Sequence, residues 1–317
     1  MQHFLDFEQP IADLEAKIDE LRRISPENLV DLEDELGRLE AKCKKLTREI
    51  FKDLTAWQVV QLARHPSRPY SLDYIHRLFT EFIELHGDRM YADDGAVVAG
   101  LARLSGRGVV VIGHQKGRDT NEKIARNFGM PRPEGFRKAQ RVMKLAQRYG
   151  LPVVTFIDTP GAYPGIDAEE RGQSEAIASS ISLMADLKVP IISVVIGEGA
   201  SGGALAIGLS DRILCLKNTW YSVISPESCS SILWRSWEYK EAAASALKLT
   251  AKDMKKMKLV DEIIKEPLGG AHRNREKTFM IVRKSILNSY DEFKNMSSSE
   301  LVRKRMKKYS NMGIYKS

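Results

Sequence analysis

The sequence predicts an α/β fold, a largely parallel sheet covered by helices, with a helical hairpin ahead of it. Three observations carry this. Between residues 96 and 216, short β-rich runs alternate with longer amphipathic stretches, the pattern of strands joined by crossover helices. The runs at 152–157 and 190–196 are apolar at nearly every position, as strands covered on both faces require. The first stretch, of about 55 residues, instead repeats its apolar residues every three or four.

Taken in order, Ile11, Leu14, Ile18, Leu21 and Ile24 form one apolar stripe. Ser25-Pro26-Glu27 reads as an N-cap with proline at the first helical position. Leu29, Leu32, Leu36, Leu39, Cys43, Leu46 and Ile50 then form an a/d seam of about three heptads. Together they predict a hairpin over 1–55 whose seam packs on itself, on the core or on another subunit. Residues 56–95 mix helix signals with loop pairs such as His65-Pro66, and are expected to connect the hairpin to a main domain at 96–270. There, runs at 96–103 and 109–113 flank a hairpin-type turn at 105–108. A basic loop leads to a helix at 134–149. Strands at 152–157, 190–196 and 212–216 follow, with helices at 173–187 and 205–209 between them. Residues 271–317 read as basic helices with a polar stretch near 296–300.

Hydrophobic residues make up 43% of the 317 and charged residues 29%, an ordinary globular balance. No apolar run nears the ~20 residues that span a bilayer. The start, MQHFLDFEQP, lacks the basic region and apolar run of a secretory signal, so a cytoplasmic location is expected. Cys43, Cys215 and Cys229 form no CxxC pair and the six histidines show no metal-ligand spacing; no metal site is expected. The net charge of +7 suits anionic ligands or partners. No nucleic-acid module is recognisable, and nucleic acid is not predicted as a partner.

Residues 197–205, GEGASGGAL, follow a buried strand and open a helix, which places them where α/β folds hold ligands. Three readings overlap there. Gly197-x-Gly199-x-x-Gly202 has the spacing of a dinucleotide fingerprint, but the following helix is short and Lys217 stands where an acid should follow. Gly199-x-Ser201-x-Gly203 has the spacing of a nucleophile elbow, which needs an acid and then a histidine downstream. Only His272 follows, in a Gly-rich basic stretch that reads as surface. The third reading uses backbone alone: Gly202 and Gly203 expose N–H groups at a helix start, an oxyanion hole for developing enolate charge. Tight helix–strand packing accounts equally well for the same two glycines.

At the end of the preceding strand, residues 158–165 (DTPGAYPG) set a backbone path with little side-chain bulk beyond Tyr163. Such a wall suits a planar or apolar ligand. Glu169-Glu170-Arg171 reads as a solvated helix start. The loop 114–118, followed by Lys123, Arg126, Arg132, Arg137, Lys138 and Arg141, is densely basic. Most of these read as a solvated helix face, whereas Lys116 and Arg118, at a strand end, are the expected contacts for phosphate or an acidic partner.

Eight stretches together resemble the alpha-subunit family of the bacterial acetyl-CoA carboxylase carboxyltransferase. They are 4–10 (FLDFEQP), 113–118 (GHQKGR), 126–131 (RNFGMP), 156–165 (FIDTPGAYPG), 169–176 (EERGQSEA), 197–208 (GEGASGGALAIG), 221–227 (YSVISPE) and 266–274 (EPLGGAHRN). The resemblance runs in near register to about residue 274 and is weak in the tail beyond 275. It implies a crotonase-like spiral of ββα units, and transfer of a carboxyl group from carboxybiotin, carried on the biotin carboxyl carrier protein, to acetyl-CoA. It further implies that Gly202 and Gly203 serve biotin, and that Gly161, Ala162, Tyr163 and Gly165 line its pocket. Glu227, placed where crotonase hydratases keep an acid/base glutamate, is read as structural. A beta subunit is implied to bring the second oxyanion hole, most of the CoA site and a zinc ribbon, in an alpha2beta2 assembly. Biotin carboxylase is implied in the wider, ATP-binding complex.

Overall fold

The computed structural model describes residues 3–23 and 29–313, so the Ser25-Pro26-Glu27 cap and the side chain of Ile24 lie outside the described residues. Helices α1 (Gln9–Arg23) and α2 (Leu29–Lys52) pack against each other. Ile11, Leu14 and Ile18 meet Leu36, Leu39, Cys43, Leu46 and Ile50, and the cluster closes on Leu62. The part of the seam from Leu36 to Ile50 is therefore covered by its own hairpin and by α3 (Ala56–Ala63), which Thr55 caps by accepting the Gln58 N–H, while the side chains of Leu29 and Leu32 lie outside the described residues.

The stretch expected to be a connection holds more structure than its loop chemistry suggested. After α3 come α4 (Ser71–Leu78) and an edge strand, β1 (Thr80–Glu84). β1 pairs antiparallel with β2 (Val97–Leu104), and β2 pairs antiparallel with β3 (Arg107–His114). Ser105 and Gly106, both at positive φ, form the two-residue turn that such hairpins favour.

From β3 onward the sheet is parallel: β4 (Val153–Thr159), β5 (Ile191–Ala200), β6 (Arg212–Leu216) and the short β8 (Glu262–Ile264) follow in sequence order, while β7 (Trp220–Ser222) pairs with the end of β5. The order never reverses, unlike a doubly wound sheet with its switch point. Helices therefore sort by face. On one side α6 (Pro133–Tyr149) and α8 (Gln173–Asp186) supply Ala139, Val142, Met143 and Met184; on the other, α4 and α13 (Arg275–Phe293) supply Tyr74, Ile75, Phe279 and Val282. α6 starts at Pro133 and ends on left-handed Gly150, in keeping with the rule for proline-first, glycine-last helices.

Several local expectations are corrected. The strand expected at 190–196 runs on to Ala200, and the helix expected at 205–209 is α9 (Ser201–Leu205). Glu169 and Glu170 end α7 (Ile166–Glu170) rather than start a helix. The basic face of α6 is not simply solvated: Lys138 is fully buried on Asp93 and the Asp94 carbonyl, and Arg141 donates to the carbonyls of Leu85, His86 and Gly87. Between β6 and α13, where no helix was expected, α10 (Pro226–Trp234), α11 (Lys240–Leu247) and α12 (Ala251–Lys256) fold over the end of the sheet. The polar stretch near 296–300 holds the N-cap Ser297 of α14 (Ser298–Ser310).

Candidate active site

The turn at residue 201 is sharp because β5 runs into α9 without a loop. Ser201 takes φ +57°, a left-handed conformation rare outside glycine. In a helix this short the first-turn N–H groups of Ser201, Gly202 and Gly203 find no intrahelical acceptor. The neighbouring glycines have separate reasons. A Cβ at Gly197 would collide with the Asp158 carboxylate, and one at Gly199 with the Tyr221 ring. At Gly203 it would stand 2.6 Å from the Gly161 carbonyl carbon and 2.7 Å from the Ala162 nitrogen, whereas at Gly202 it would meet only Ile177 atoms, at 3.3 and 3.4 Å. Tight packing is thus real at Gly203, and it holds the helix start directly against the 158–165 loop.

Beside this turn opens a mainly apolar cavity of about 340 Å³, bounded by Ser201, Gly202, Leu205, Tyr221, Val223 and Met254 among others. None of its lining residues is an acid or a histidine. Nor is His272 a surface residue: its buried imidazole bonds Glu8 at 3.2 Å and stacks on His65. The nucleophile-elbow reading of Ser201 therefore gains no base. The dinucleotide reading fails as well, since Gly197 and Gly199 sit inside a strand.

The 158–165 loop is held along its length. The Thr159 hydroxyl donates to the Gly129 or Gly161 carbonyl, each at 2.7 Å, and the Tyr163 N–H bonds the Pro131 carbonyl. Gln173 donates to the carbonyls of Pro131 and Tyr163, each at 2.9 Å. Arg132 stacks over the Tyr163 ring, whose edge occupies the space a Cβ at Gly165 would need. Behind the loop, the Asp158 N–H points to His114 Nδ1 at 3.4 Å. Burial pushes His114 down to about 3, so the imidazole is neutral.

Beneath both segments runs a chain of five ionic side chains. Lys116 Nζ lies 2.7 Å from Asp158 and 2.5 Å from Glu198; Arg64 bonds Glu198 on its other oxygen and then Glu227 at the start of α10. Burial raises the Glu198 carboxyl, but Lys116 and Arg64 outweigh it and hold the group at about 2. Asp158 goes the other way: burial pushes it above the usual carboxylate range despite Lys116. Lys116 is thus turned inward, its positive charge met by two carboxylates. Arg118 is also engaged, with Asp73, the Pro66 carbonyl at 2.8 Å and the face of Tyr70. Both cations thus pair with acids of this chain. Glu227 serves as the ion-pair partner of Arg64. Arg64 and Glu198 were missed from sequence; the only signal was an acid set between glycines in an apolar strand.

The expectation of no metal site rested on spacing alone. The fold brings potential ligand atoms of Glu8, His65 and His272 within 4.8 Å of one another. The two rings stack at 4.0 Å with 29° between planes, and His65 Nε2 lies 3.0 Å from the His3 carbonyl while Nδ1 accepts the Ser67 N–H. Lone pairs lie in the ring planes, so stacked rings do not converge on one ion.

A monotonic parallel sheet, a hairpin at its start and a backbone-lined turn at its carboxyl edge define a domain of the crotonase-like fold. Solved structures share it: transcarboxylase 12S (TM-score 0.58, 19% identity, 71% of this chain and 42% of that one) and the beta subunit of P. aeruginosa geranyl-CoA carboxylase (TM-score 0.56, 17% identity, 80% and 45%). The chain belongs to the family described as acetyl co-enzyme A carboxylase carboxyltransferase-like, which matches residues 4–313. Relatives named acetyl-coenzyme A carboxylase carboxyl transferase subunit alpha are 60% identical in Thioalkalivibrio sulfidiphilus and 56% in Azoarcus sp., each over 99% of this chain and 98% of the relative. A third, from Flavobacterium johnsoniae, is 56% identical over 99% of both. The match runs through the tail, well past residue 274, where the resemblance had seemed to fade. ATP binding by this chain finds no support in the site or in these relatives.

Proposed function

We propose that this chain is the alpha subunit of an acetyl-CoA carboxylase carboxyltransferase and works at a site shared with a beta subunit. The reaction breaks the bond between carboxyl carbon and ureido nitrogen in carboxybiotin and forms a bond to the methyl carbon of acetyl-CoA. Carboxybiotin, carried in on the biotin carboxyl carrier protein, supplies the carboxyl group and the nitrogen that takes the displaced methyl proton. Products are malonyl-CoA and biotin.

The observation that carries this reading is a turn whose first amides lack an intrahelical acceptor, beside a mainly apolar cavity whose lining holds hydroxyls but no acid or histidine. The N–H groups of Gly202 and Gly203 would meet negative charge on the ureido oxygen, at the positive end of a helix. Gly161, Ala162, Tyr163 and Gly165 would wall the biotin ring; none of the four lines the apolar cavity beside Gly202. A second oxyanion hole, most of the CoA contacts and the zinc belong on this reading to the beta subunit. The assembly would be alpha2beta2, joined by biotin carboxylase in a cytoplasmic complex that feeds fatty acid synthesis. Residues 1–55 and 271–317 would frame a transferase core at 96–270, reached through 56–95.

The test is carboxyl transfer from malonyl-CoA to biocytin by this chain alone, the beta subunit alone, and the two mixed. Activity confined to the mixture is expected. Activity of this chain alone, or none in a mixture shown to assemble, would overturn the shared-site reading.

A further inference from the structure

We propose that Lys116 is a positioning residue of the transfer site, bridging the two segments that form its carboxybiotin side; this builds on the carboxyltransferase reading. The ladder between β4 and β5 is interrupted where those segments begin. Ile157 pairs with Val195, but the next paired position, Thr159, faces Gly199. A single residue, Asp158, therefore spans three on β5: Ile196, Gly197 and Glu198. Regular backbone bonds cannot set the spacing there.

Side chains take over that role. Asp158 Oδ1 accepts the Glu198 N–H at 2.9 Å, filling the space that the missing Gly197 side chain leaves. Lys116 Nζ then joins Asp158 Oδ1 to Glu198 Oε2, at 2.7 and 2.5 Å. One bridged residue opens the 159–165 loop; the other lies three positions before Ser201. The lysine is itself fixed, because its stem lies so close to Gly129 that a Cβ there would come within 2.7 Å of Lys116 Cγ. Gly129 in turn offers its carbonyl to the Thr159 hydroxyl. The lysine side chain is only 13% exposed and both its acids are buried, so it cannot be recruited to an anion without leaving Asp158 unpaired.

A lysine that only balances buried charge and one that holds a geometry differ in a double variant. Lys116→Met leaves Asp158 uncompensated. Adding Asp158→Asn restores the balance and keeps an acceptor for the Glu198 N–H, but the bridge stays absent. Each variant, assembled with the beta subunit, is assayed for transfer from malonyl-CoA to biocytin and for thermal unfolding. Lys116→Met is expected to lower kcat about 100-fold, the scale of a displaced catalytic group, with an unchanged KM for malonyl-CoA. The double variant should regain the native Tm while kcat stays low. Recovery of kcat together with Tm, or native turnover by Lys116→Met, would overturn the proposal. If methionine at 116 prevents folding, Lys116→Gln carries the same test of kcat. An inactive native assembly would instead count against the carboxyltransferase reading.

Discussion

Two buried ion clusters sit at opposite ends of the same parallel strands, and they are built differently. At the amino-terminal end of β5, Arg305 of α14 donates to both Asp211 oxygens and to the carbonyls of Met184, Leu187 and Val189, at 2.7–3.0 Å. Asp211 in turn accepts the Ile191 N–H at 2.8 Å and gives its own N–H to the Ile191 carbonyl. One cation meets one acid, and the guanidinium is fully buried. At the carboxyl end, two cations, Lys116 and Arg64, serve three carboxylates, Asp158, Glu198 and Glu227, and the chain lies beneath the glycine turn. A balanced, closed cluster ties a helix to the sheet. An unbalanced one beneath two loops sets their geometry.

The comparison breaks most visibly at Arg305. Arg305→Leu leaves Asp211 buried and alone, which should lower the unfolding free energy by about 3–5 kcal/mol, measured by urea titration, with turnover per folded assembly unchanged. A matching loss of kcat would show that the amino-terminal end also shapes the site. Gly203→Val should abolish transfer and cost about 1–3 kcal/mol of stability, because its side chain must displace the Gly161–Ala162 backbone. Native turnover by that variant would sink the oxyanion assignment.

A third cluster, Glu8 with His65 and His272, holds the N-terminal segment and sharpens the contrast through pH. Burial and the neighbouring His272 hold His65 down to about 4, against an ordinary 6.5. Between those values the unfolded chain takes up a proton that the folded one refuses, so its contribution is full above 6.5 and falls as pH drops toward 4. The Arg305–Asp211 pair that holds α14 involves no histidine. Limited proteolysis at pH 7.5 and 5 should therefore show the α1–α2 hairpin cut faster in acid while α14 remains protected; equal rates at both sites would refute this. The smallest effect is expected at Ser201→Ala, which should leave the transfer rate unchanged. Complete loss would revive the nucleophile reading.

Much of this architecture was legible locally. The 3.6-residue period of 134–149 and the unbroken apolar runs of β4, β5 and β6 mark elements whose own side chains reveal their burial. The glycine turn stood out as a candidate site, yet its helix starts at Ser201 because β5 continues through Gly197 and Gly199, which no propensity favours. α10, α11 and α12 left little trace, being short and with few fully buried residues each. Lys116 stood out as a charge, but its partners lie 42 and 82 residues away.

The sequence by itself determined which segments become the main strands and helices of the core, and which motifs mark the family, because periodicity and motif spacing act over a few neighbours. Only the tertiary structure decided which charges stay free. Lys138 and His272 read as surface groups along the chain and Lys116 and Arg118 as contacts for an outside anion, and folding brings each against a partner distant in sequence. Desolvation makes such pairing obligatory, and which partner satisfies it is set by the packing of the whole sheet.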